Sequence, residues 1–149
     1  MLRAHTSDRR QRRSYDRDTA THYLLVHVAD QFGLEAFAIA DEDGALQATS
    51  TDSPSGDALS TLLAQYSPAL SCRVNTPRSA LLEALETDLE HLGMGWTQDE
   101  VMVREFHVDG QRMLLTAVGE PGTMREVGVY RTIMGIRRIW HEAHDVQAA

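Results

Sequence analysis

"AFAIADEDGALQATS", residues 36–50, decides how this chain folds. Ala36 to Ala40 is an apolar run without a polar alternate, the pattern of a strand covered on both faces. It ends at Asp41-Glu42-Asp43-Gly44, and a second strand-like run follows from Ala45 to Thr51. Asp-Gly between two such runs is a hairpin signal, because a tight reversal needs positive φ that Asp and Gly tolerate. The three acids therefore read as an exposed corner and not as a carboxylate site. A calcium loop starting at Asp41 would need an oxygen ligand at its fifth position, glycine at its sixth and glutamate at its twelfth. The chain has Ala45, Leu46 and Asp52 there.

The same Asp-Gly signature recurs at Asp109-Gly110, between Val101–Val108 and Gln111–Val118, and predicts a second hairpin. Helices surround the two hairpins. Leu24, Leu25, Val28 and Phe32 form one apolar stripe, which predicts a helix over 19–32, capped by Asp18 or Thr19 and closed by Gly33. After the loop at 51–56, Leu59, Leu62, Leu63 and Tyr66 predict a second helix that Pro68 ends or kinks. Thr76-Pro77 announces a third, with Leu81, Leu82, Leu85, Leu89 and Leu92 on one face, His91 in its last turn and Gly93 behind it. Thr123 and Glu126 have the spacing of a capping box and open a last helix reaching to about residue 143. Its expected core residues are Tyr130, Ile133, Met134, Ile136 and Trp140, and Gly128 and Gly135 suggest close approach of another backbone. The order α-β-β-α-α-β-β-α predicts an α+β domain with an antiparallel sheet of four to five strands, residues 94–100 being the candidate fifth.

With 149 residues, 42% of them hydrophobic, the chain has the size and composition of one globular domain, placed over 19–145. No apolar run approaches the ~20 residues of a bilayer span, and no apolar segment near the N-terminus reads as a secretory signal. One cysteine, Cys72, excludes an internal disulfide and suits a reducing, cytoplasmic setting. All 14 basic residues are arginines, and six of them lie between Arg3 and Arg17. Residues 1–18 therefore read as a disordered basic tail that adds little to the stability of the body. Without them the net charge moves from −8 to −11. So acidic a body repels phosphate backbones, which leaves only the tail as a contact for nucleic acid or another anionic surface.

No constellation of catalytic or metal-binding groups emerges. His141 and His144 are three apart and lack the third ligand of a catalytic zinc. Histidines near a helix C-terminus also complement its dipole. His22 and His27 fall on different helix faces, and no motif surrounds Cys72. Phosphate-binding loops, nucleophile elbows and His-Glu-x-x-His are absent from the sequence. Catalytic, cofactor and metal residues are therefore expected to be none, and function is expected to reside in a surface. The leucine face of 76–92 (Leu81, Leu82, Leu85, Leu89, Leu92) is the candidate interface of a homodimer.

The stretch "LLVHVADQFGLEAFAIADEDGALQATS" resembles the Roadblock / dynein light chain family. A first helix ends at Gly33-Leu34, a strand runs through Ala38-Ile39-Ala40, and Asp41-Glu42-Asp43-Gly44 turns it back. "VGVYRTIMGIRRIW" is similar to that family's closing helix. The chain departs from the pattern where Pro68 and Thr76-Pro77 split the middle helix, and in showing four strands where the family usually has five. The resemblance implies a non-enzymatic homodimer, with central helices or edge strands at its two-fold axis, serving as a platform or regulator for a small Ras-like GTPase or a related signalling partner. Two other classes compete: an acidic dimeric secretion chaperone with an apolar groove, and a ligand-sensing domain of the GAF or profilin kind with a pocket inside the sheet.

Overall fold

The computed structural model describes residues 6–71 and 78–148, with side-chain burial from 16–71 and 78–141. Its elements are α1 (Thr6–Phe32), β1 (Ala36–Asp41), β2 (Leu46–Thr49), α2 (Pro54–Ser71), α3 (Arg78–His91), a 3-10 turn at Gln98–Glu100, β3 (Val101–Val108), β4 (Gln111–Val118) and α4 (Thr123–Ala148). The class is α+β, in the expected order, and the four strands form one antiparallel sheet with β2-β1-β4-β3 as neighbours. β2 and β3 are thus its edges. Residues 94–100 supply the 3-10 turn and no fifth strand.

β1 explains the three layers. Its alternate residues Phe37 and Ile39 face α1 and α4, where they join Leu25, Leu115, Ile136 and Trp140. Ala36 and Ala38 face the other way, toward Leu59 and Leu63 of α2 and Leu85 and Leu89 of α3. A covered strand needs apolar residues on both faces, and the small alanines allow α2 to lie close.

Three details differ from the expectations, and one falls outside the described residues. The first helix begins at Thr6 and not at 19. Arg and Gln are good helix formers, and Arg17 packs against Trp140, so the basic segment from Thr6 onward continues the helix. The expected Thr76-Pro77 start of α3 and Cys72 lie outside the described residues. Pro68 is inside α2, which runs on to Ser71. Proline cannot donate to the Ala64 carbonyl one turn back, and the Ser67 hydroxyl does so instead at 2.7 Å. Finally, Tyr130 and Met134 of α4 are 63% and 42% exposed, while Val129 and Thr132 take the inward positions.

Candidate functional site

The acidic corner is a structural turn. Asp41 Oδ1 accepts the backbone N–H groups of Asp43 and Ala45 at 2.9 and 3.0 Å, and Oδ2 accepts Gln47 Nε2 at 3.3 Å. A carboxylate holding two amides at once fixes the reversal, so its oxygens are already engaged. Among the described residues no group of three His, Cys, Asp or Glu is placed to hold a metal ion.

The histidines are dispersed. His22 Nδ1 lies 2.7 Å from the Thr49 carbonyl and ties α1 to β2. His107 faces Glu105 and His141 faces Asp109, at 3.6 and 3.3 Å. The side chain of His144 lies outside the described residues. Tyr66 is a described group whose titration is clearly shifted. Its phenol donates to Asp88 Oδ2 at 2.5 Å, joining α2 to α3. That hydrogen bond, then burial, then the carboxylate charge push the Tyr66 pKa up to about 12. The pair is a tie between two helices.

The surfaces are more informative. On α3, Leu85 and Leu89 are buried in the protein's own core, Leu81 and Leu82 are half-buried, and Leu92 is 40% exposed. The leucine face therefore grades from a buried pair, through Leu81 and Leu82 packed at the margin of the same core, to the exposed Leu92. Half-buried Met94 and Trp96 continue that margin toward the 3-10 turn and the open edge of β3. An edge strand presents backbone donors and acceptors that another chain can pair with.

A second surface lies on the outer side of α4. Val127 and Met134 are partly exposed and His141 is exposed, seven residues apart in each case, so they run in one line along the helix. Tyr130 stands beside them, and Arg131, Arg137 and Arg138 border the line. Near its end, Met134, Arg137, Arg138 and His141 meet His107, Val108 and Asp109 of the β3–β4 hairpin around an open groove of about 430 Å³. The sequence reading missed this surface, because it assigned Tyr130 and Met134 to the core.

No family model matches the chain, and no curated protein does either. Among solved structures it is similar to MglB of Myxococcus xanthus, with a TM-score of 0.50 and 10% sequence identity over 83% of this chain and 97% of MglB. The fold is of the roadblock/longin kind. At that identity the likeness concerns architecture, so the α4 surface has to be argued from its own residues. No described helix is long and apolar enough to cross a membrane.

Proposed function

We propose that this chain is a homodimeric contact platform that regulates or scaffolds a small Ras-like GTPase, working by surfaces and without catalytic residues of its own. The observation that carries the reading is the roadblock-like architecture spanning nearly the whole of MglB, together with the roadblock resemblance of residues 24–50. The dimer forms where apolar side chains and an unpaired strand edge adjoin, at Leu81, Leu82 and Leu92 of the α3 segment and along β3. Leu85 and Leu89, already at 1% exposure, support that face from within. The ligand-sensing alternative needs an open space between sheet and helices, where Phe37, Ile39, Leu115 and Ile136 instead fill one layer.

The test is capture of the C-terminally tagged protein from its own host with identification of its companions by mass spectrometry. It is joined to light scattering at low micromolar concentration. A dimer mass and a Ras-like GTPase retained in one nucleotide state support the reading. A monomer removes the dimer, and a secreted segment in place of a GTPase turns the reading toward a chaperone. Leu92→Glu should yield a folded monomer, whereas Leu85→Glu should fail to fold, which separates the exposed end of the face from the buried pair.

A further inference from the structure

The outer face of α4 combines three features that ordinary solvated helices lack together. Exposed apolar residues are normal when scattered, but aligned ones mark a contact. Val127, Tyr130 and Met134 lie at helical spacing on one face, 37%, 63% and 42% exposed. The same face carries Arg131, Arg137 and Arg138, although the whole protein has a net charge of −8. The line of side chains then leads into the groove of about 430 Å³ between Met134, Arg137, Arg138 and His141 on one side and His107, Val108 and Asp109 on the other, where the Asp109 carboxylate is taken up by His141 at 3.3 Å.

The arginines differ in how they are held. Arg131 lies over the Phe32 ring at 5.4 Å, and Arg137 Nε donates to the His107 carbonyl at 3.2 Å, which fixes the guanidinium at the groove. Among the described residues Arg138 makes no hydrogen bond or ion pair. Two adjacent guanidiniums, one anchored and one free to turn, suit carboxylates presented by a partner.

We propose that this face docks an acidic amphipathic helix of another protein, its apolar stripe on Val127, Tyr130 and Met134 and its carboxylates on Arg137 and Arg138. Charge decides between occupants. A second copy crossing antiparallel at Met134 would set Arg131 against Arg137, like charge against like charge. An anionic bilayer would meet the field of the whole acidic protein, whereas a short helix meets mainly this local basic patch. The inference does not depend on the GTPase reading and concerns a different face.

Fluorescence anisotropy tests it with the full chain and a labelled synthetic helix of about 18 residues, leucine at i, i+3, i+4 and i+7 and glutamate elsewhere. Two further probes are the same composition scrambled to break the stripe and a version with arginine replacing glutamate. The acidic striped peptide should bind most tightly, and added salt should weaken it. Arg138→Glu, and separately Met134→Ser, should each weaken it by about tenfold while leaving the melting temperature unchanged, since both side chains are exposed. Equal binding of the striped and scrambled peptides overturns the proposal, as does preference for the arginine peptide. So does absence of binding, or indifference to both substitutions. Tighter association with phosphatidylserine-containing vesicles than with the peptide, lost in Arg138→Glu, would reassign the face to a membrane.

Discussion

The guanidinium of Arg17 lies 4.4 Å from the centroid of the Trp140 ring, joining the first helix to the last. Thr21 completes the junction: its hydroxyl donates to the Arg17 carbonyl at 2.8 Å and accepts Trp140 Nε1–H at 2.9 Å. Thr21 and Trp140 are buried, so the cation–π contact is partly shielded from water. Arg17→Ala should lower stability by about 1 kcal/mol, seen as a shift of roughly 2–5 °C in the melting temperature. Deletion of residues 1–18 should lower it at least as much, contrary to the expectation of an inert tail. A truncated protein melting with the full chain would show that the Arg17 contact contributes nothing.

Tyr66 and Asp88 predict a pH dependence at the alkaline end. The Tyr66 pKa is raised to about 12 in the fold, from an ordinary value of 10.0. A raised pKa means that the folded state holds the proton more tightly than the unfolded chain does. The contribution is therefore fully present below pH 10 and is lost as pH rises toward 12. Tyr66→Phe should cost about 1.5–3 kcal/mol at neutral pH, the usual size for a hydrogen bond to a charged group. It should also flatten the decline of stability between those limits. Urea denaturation of both proteins at pH 8 and in the alkaline range measures this, and parallel declines would mean that other groups govern the slope.

The hairpins were legible in the sequence because their turns have local chemistry. Asp109 has φ of 49° and Gly110 of 81°, backbone conformations that Asp and Gly adopt more readily than other residues, so the dipeptide announces its own geometry. The helix faces were only half legible. Periodicity says which residues share a face, but not what that face meets. Leu81, Leu82, Leu85, Leu89 and Leu92 do share a face, yet only their placement against α2 and the sheet separates the buried pair from the rest. α4 carries two apolar stripes, and Tyr130 and Met134 share the helical spacing of a core face, while Val129 and the polar Thr132 are the residues buried. The α4 surface was hidden for that reason. The extension of α1 was hidden because its anchor, Trp140, lies at the other end of the chain.

Gly135 is where the sequence foresaw a close approach, and its consequence can be measured. A Cβ there would lie 2.7 and 2.9 Å from the two methyl carbons of Leu24 on α1, closer than packed atoms allow. The neighbour is a side chain and not the backbone that had been expected. Two effects oppose each other in Gly135→Ala. Alanine improves helix propensity by about 0.8–1 kcal/mol, while overpacking costs about 1–3 kcal/mol. The crowding should win, and the single substitution should destabilise. In a Leu24→Ala background the obstructing methyls are gone, so the same substitution should stabilise by about the propensity term. Chemical denaturation of the four proteins of this cycle measures the reversal. A Gly135→Ala effect of the same sign in both backgrounds would show that Leu24 is not what the glycine accommodates.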